Sequence, residues 1–305
     1  RSDNTNTQNE GINTRKILVF LIITFVFAVI IGLIPVWLDL EWQGNTAVII
    51  GVIYMLFPAL SAIFVQKVLY HEPVIVPLKV SFKLNKWFAF AWLLPVIIAL
   101  GAIAVGMLFP GVSYSPEMAG MIERYRDIMT PEQIAEMERS IEQMPVHPLF
   151  LVIIQGMIAG ITINALAAFG EELGWRGFLL REFKAWGFAR ASLFIGIIWG
   201  VWHAPLILQG HNYPQHPVAG VFLMTLFCLL VTPLINFATL KANSVIAAAI
   251  MHGTLNGTGG IAIVMLKGGN DLTIGMTGAA GLVTLLLANI ILYMATRGYR
   301  EIEYR

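Results

Sequence analysis

Long apolar runs separated by short polar joints dominate this chain, and few stretches show the one-sided spacing of a soluble amphipathic helix. Crossing the hydrocarbon core of a bilayer takes about 20 apolar residues. Eight stretches meet or approach that length: 17–38, 47–66, 87–109, 148–169, 191–208, 218–240, 244–266 and 272–296. The pattern predicts an all-α polytopic membrane protein with about eight transmembrane helices. Residues 1–16 are polar and read as a disordered tail, with 17–305 as a single transmembrane domain. The first apolar run follows Arg15 and Lys16 and is too long for a signal-peptide core, so it reads as a retained anchor.

The segment 110–147 departs from this pattern. Within it, SPEMAGMIERYRDIM and TPEQIAEMERSIEQM each open with a hydroxyl residue, a proline and a glutamate. That order suits an N-cap, a first helical position and the positive end of a helix dipole. Ile134, Met137, Ile141 and Met144 share one helical face, as do Met118, Met121, Ile122, Tyr125 and Met129. Two short amphipathic helices forming a solvated cap on the outer rim are expected.

Composition strengthens the membrane reading. The chain is 57% hydrophobic and 12% charged, with a mean hydropathy of +0.75, against about 25% charged for a soluble domain. A net charge of +1 gives no footprint for a nucleic-acid partner. Cys228 is the single cysteine, so no intrachain disulfide can form, and a buried apolar role is expected for it. With the N-terminus placed in the cytoplasm, Arg124, Arg126, Arg139 and Lys267 fall outside and the rest of the 19 Lys and Arg fall inside. Positive charge retained in cytoplasmic loops sets topology. Both termini are therefore expected in the cytoplasm of a multi-pass protein of the cell membrane.

Against this background a few polar residues stand out. An ionisable side chain at the bilayer centre costs roughly 2.5–3.5 kcal/mol or more and marks function by default. Glu171 and Glu172 end the fourth run, His203 sits in the fifth, and His252 and Asn256 sit in the seventh. Counted from Arg181, Arg190 and Lys241, Glu171, His203 and His252 reach about 15, 20 and 17 Å from one side. Three runs thus deliver ionisable groups to a similar depth, predicting a polar site inside the bundle, open to the cytoplasm. His252 and Asn256 are four residues apart and share a face, as do Glu172 and Arg176. The second pair reads as a structural ion pair. Glu171 lies about 100° round the helix without such a partner and is the better candidate for chemistry. Gly170, Gly174 and Gly177 permit a close helix approach. His71, His147, His211 and His216 fall in loops, and Trp199 and Trp202 read as packing beside His203.

One carboxylate, two imidazoles and an amide can activate a water and hold an oxyanion, which suits hydrolysis of an amide bond. The same Glu and His groups could bind zinc, although the spacing lacks the H-E-x-x-H helix of zinc proteases. No Ser-His pairing with a nucleophile elbow is present.

These residues carry a resemblance. EELGWRGF resembles the E-E-x-x-x-R signature of the CAAX prenyl protease type II and bacteriocin-processing (CPBP, or Abi) family of intramembrane proteases. WGVWH and HGTLN resemble its F/W-x-x-x-H and H-x-x-x-N motifs, in the same order over about 165–260. The chain departs at Trp199, where phenylalanine is common, and at Asn243-Ser244, where Gly-Ser is usual. The resemblance implies an eight-span fold with its catalytic core in about 148–266. It implies a glutamic intramembrane endopeptidase in which Glu171 and His203 activate water, and His252 and Asn256 form the oxyanion hole. Glu172 and Arg176 would support them. No cofactor is expected, with zinc as the minority alternative. A peptide or protein is the expected partner, a prenylated C-terminal tail among the candidates, together with membrane lipid. A non-catalytic immunity or scaffold protein of the same fold, and a transporter, are the competing readings.

Overall fold

The computed structural model describes residues 12–42, 44–125, 130–302 and 304. The described residues are almost wholly helical, and the protein is an all-α polytopic membrane protein. Five helices are long and apolar enough to cross a bilayer: Thr14–Trp37, Gly44–Leu69, Lys86–Gly106, Lys184–Ile207 and Pro217–Ala242. A sixth crossing arises if Pro148–Ile161 and Ile163–Glu182, bent by 51° at Thr162, are taken together.

The last two expected runs depart from simple spans. The 244–266 run forms a 14-residue helix, Val245–Thr258, then breaks at Gly259 and Gly260 before the short helix Ile261–Met265. The 272–296 run is helical only over Ala279–Ala295, 17 residues. Before it the chain turns through Gly268, Gly269 and Gly275, all at positive φ. Asn270 Oδ1 accepts from the amides of Leu272 and Thr273 there, a side-chain turn that competes with helix. Length and composition therefore support fewer simple spans than the eight expected.

At the N-terminal end, residues 1–11 lie outside the described residues, but the helix already begins at Thr14. Asn13 Oδ1 caps it by accepting from Lys16 N at 3.0 Å. Lys16 is 2% exposed, with Nζ 2.9 Å from Glu72 and 3.2 Å from Glu182, so the expected tail ends before it.

Outward-facing apolar side chains, among them Ile22, Ile49, Ile97, Ile154, Phe222 and Ile291, cover the rim of the bundle. Helix Val245–Thr258 sits at its centre, packed against Pro148–Ile161, Ile163–Glu172, Lys86–Gly106 and Pro217–Ala242. Glycines allow this: a Cβ on Gly156 would lie 2.4 Å from the Gly257 carbonyl oxygen, and one on Gly253 would lie 2.6 Å from Ala165 N. Asn243 ends the preceding helix at φ 51°, a left-handed position that asparagine tolerates, and Ser244 Oγ caps the next by accepting from Ile246 N.

In the 110–147 segment the helices Ala119–Tyr125 and Pro131–Glu142 form, the second with a reciprocal cap between Thr130 and Gln133. Ser115 Oγ accepts from Ala119 N, so the first helix starts later than its Ser-Pro-Glu opening suggests. Arg126, Asp127 and Met129 lie outside the described residues. The segment docks through an antiparallel pairing of Ser113–Tyr114 with Leu266–Lys267.

Candidate active site

The two adjacent glutamates end one helix and point to different partners. Helix Ile163–Glu172 passes into a π-helical turn over Leu173–Leu179, every residue of which is buried. Such turns are rare and recur at functional sites. Glu172 Oε1 accepts from Arg176 Nη1 at 3.0 Å and from His252 Nδ1 at 2.7 Å. Arg176 also donates to Thr232 Oγ1 at 3.1 Å and Asn236 Oδ1 at 3.3 Å, and its Cζ lies 4.2 Å from the centre of the Trp199 ring. Asn236 in turn donates to Ser192 at 3.0 Å. A buried guanidinium is tolerated only with this degree of pairing. Glu172 Oε2 has no hydrogen-bond partner among the described residues.

Glu171 is 2% exposed, and its Oε2 accepts from the indole Nε1 of Trp199 at 2.6 Å. It lines a cavity of about 400 Å³ whose wall also includes His203, His252 and Asn256. The four residues come from three segments far apart in sequence. Glu172 and Arg176 lie behind this wall.

Hydrogen bonding sets the imidazole tautomers. His203 Nδ1 lies 2.8 Å from the Trp199 carbonyl oxygen, which can only accept, so Nδ1 carries a proton. In the neutral ring Nε2 is then an acceptor. Cys228 Sγ is 3.8 Å from the same Nδ1, which has no lone pair to take the thiol proton. Cys228 is fully buried and is left as a small apolar neighbour. His252 Nδ1 donates to Glu172 and so leaves Nε2 as its second site.

Several cavity residues escaped the sequence reading. Tyr54 lies in Gly44–Ile63, donates a short hydrogen bond to the Trp202 carbonyl oxygen and packs its ring 4.3 Å from that indole. A lone tyrosine inside an apolar run was its available signal, since a buried phenol seeks an acceptor. His211, read as a loop histidine, does lie in a loop but also lines the cavity. Trp199 does more than pack, because it donates to Glu171. Among the described residues no group of three or more His, Cys, Asp or Glu is placed to hold a metal ion.

Part of the chain is similar to known proteins. Residues 148–258 match the family model described as Type II CAAX prenyl endopeptidase Rce1-like. The chain is 35% identical over 98 residues to CAAX prenyl protease 2 of Methanococcus maripaludis, a match covering 30% of this chain and 36% of that protein. The matched stretch thus spans about a third of the curated relative's length. Both the motifs and the cavity residues Glu171, His203, His252 and Asn256 fall inside the matched region. Residues 148–258 of this chain are therefore similar to the type II CAAX prenyl endopeptidases over about a third of the chain.

Proposed function

We propose that the protein is an intramembrane endopeptidase that hydrolyses a peptide bond near the end of a protein or peptide tail. The observation that carries this reading is one cavity lined by a carboxylate, two imidazoles and an amide, within the family-matched segment. Glu171 serves as general base, with one oxygen held by Trp199 and the other free to take a proton from water. His203 accepts from the same water through Nε2. The hydroxide adds to the scissile carbonyl carbon, and the developing oxyanion receives hydrogen bonds from His252 Nε2 and the Asn256 amide. With its Nδ1–H committed to Glu172, His252 donates through Nε2 as a doubly protonated ring. The proton on Glu171 then passes to the leaving amine as the C–N bond breaks, restoring the carboxylate. No step is routed through a metal.

The substrate class follows the relative's name, so a prenylated C-terminal tail is the first candidate. The excess of Lys and Arg on one side of the eight expected spans supports termini, and an approach of that tail, on the cytoplasmic side of the cell membrane. The test is cleavage of a fluorogenic farnesylated peptide by purified protein in detergent, wild type against Glu171→Ala, with and without a zinc chelator. Cleavage that needs Glu171 and survives chelation is the expected result. Cleavage abolished by the chelator would overturn the metal-independent mechanism, and no cleavage by wild type would remove the prenyl-peptide substrate.

A further inference from the structure

We propose that Trp199 is the positioning residue of the general base, acting through its indole N–H. This deepens the reading given above and rests on it for its kinetic consequence. The indole nitrogen lies 2.6 Å from Glu171 Oε2, the shortest route by which any side chain hydrogen bonds to that carboxylate among the described residues. An indole N–H can only donate, so the contact is made to a carboxylate oxygen acting as acceptor.

The ring itself is held on several sides. Arg176 Cζ stacks 4.2 Å from its centre, the His252 ring meets it edge-on at 5.3 Å, and the residue is 2% exposed. The backbone carbonyl of Trp199 meanwhile fixes His203 Nδ1. One residue therefore orients both groups that address the water: Glu171 through the indole and His203 through the main chain. A glutamate has three side-chain torsions, and among the described residues the Trp199 indole is the side chain that hydrogen bonds to this carboxylate. Pinning Oε2 leaves Oε1 as the oxygen offered to water. The stack on Arg176 also joins the Glu172–Arg176 pair to Glu171, so the ion pair behind the wall sets the position of the base in front of it.

The side chain's two roles separate in Trp199→Phe, which keeps an aromatic ring over Arg176 and the backbone carbonyl but removes the donor. In the peptide assay kcat should fall about 10- to 100-fold, the scale of a misplaced catalytic group, with KM changed less than about two-fold and the melting temperature in detergent close to wild type. A parallel measurement needs no turnover: in protein labelled with ¹⁵N at tryptophan side chains, the indole signal missing from Trp199→Phe should move in Glu171→Ala. An unshifted signal overturns the proposal whatever the activity. Unchanged kcat in a well-folded Trp199→Phe also overturns it. Should wild type leave the peptide uncut, the prenyl-peptide substrate falls and the indole signal alone decides the contact.

Discussion

Gly253 separates His252 from Thr254 at a tight helix crossing beside the site, and Gly253→Ala tests whether that closeness sets the active geometry. A Cβ there would stand 2.6 Å from Ala165 N, 2.7 Å from the Gly160 carbonyl oxygen and 2.8 Å from the Asn164 carbonyl carbon. All three are main-chain atoms, so no side chain can swing aside. Ordinary contact begins at 3.4 Å, which requires the Val245–Thr258 helix to back away by about 0.8 Å. Overpacking of this kind costs about 1–3 kcal/mol. Alanine returns about 1 kcal/mol through its better helix propensity. The net stability loss is therefore small, about 0–2 kcal/mol, and the geometric effect is the larger one.

His252 Nδ1 sits 2.7 Å from Glu172 Oε1. A 0.8 Å retreat along that direction takes the pair to about 3.5 Å, beyond an effective hydrogen bond, and carries Asn256 away with it. Displacement of this size can cost about 10²-fold in rate. The assay is peptide cleavage beside thermal melting in detergent. Gly253→Ala should melt within a few degrees of wild type yet lose about 10²-fold in turnover. A variant that cleaves at half the wild-type rate or better would refute the claim that the glycine contact holds the site together.

Three further outcomes follow from contacts outside that crossing. Glu172→Gln leaves the fully buried Arg176 without its carboxylate, which should cost about 3–5 kcal/mol and appear as a lower melting temperature and folded yield; unchanged melting would remove the ion pair from the list of what supports the bundle. Tyr54→Phe deletes the donor to the Trp202 carbonyl, for an expected loss of about 0.5–1.5 kcal/mol read by the same melt. At Glu72, burial pushes the carboxyl up, but Lys16 and Arg181 more than reverse this and hold it below the ordinary carboxylate range. A depressed folded value means stability that is full above about pH 4.3, the unperturbed glutamate value, and lost as pH falls through the lower folded one. The melting advantage of wild type over Glu72→Gln should shrink across that acid range, and a constant gap would contradict the pairing.

The sequence made some of this legible because helical phase is a local property. The spacing of four between Glu172 and Arg176, and between His252 and Asn256, is readable from one segment, and the structure puts the first pair in contact and the second on one cavity wall. Contacts between segments were another matter. Glu171 and Trp199 are 28 residues apart, and nothing in either segment announces an indole donor aimed at a carboxylate. The π-helical turn at Leu173–Leu179 was equally silent, since its residues read as ordinary buried helix. Hydropathy also overstated the last two spans. LTIGMTGAAG is apolar enough to count, but Asn270 and three glycines at positive φ spend those residues on turns. A window of mean hydropathy weighs side chains and is blind to backbone geometry.

On the proposed mechanism, the two adjacent glutamates divide the surrounding charges between two roles. A single carboxylate facing Arg176 would be neutralised by it, and the site would have a structural anion but no base. A single carboxylate facing the cavity would leave a buried guanidinium unpaired, at a cost the bundle could not absorb. One residue's rotation, about 100°, sends Glu172 to Arg176 and His252 and Glu171 to the cavity. Glu172 thereby takes hydrogen bonds from Arg176 behind the wall and from His252 in it, and Glu171 meets a neutral donor, Trp199, on one oxygen. Exchanging either glutamate for glutamine removes a different function, so Glu171→Gln should abolish cleavage with little change in melting, whereas Glu172→Gln should lower both. On the proposed mechanism, the order of the pair along the helix, rather than the presence of two acids, separates support from chemistry.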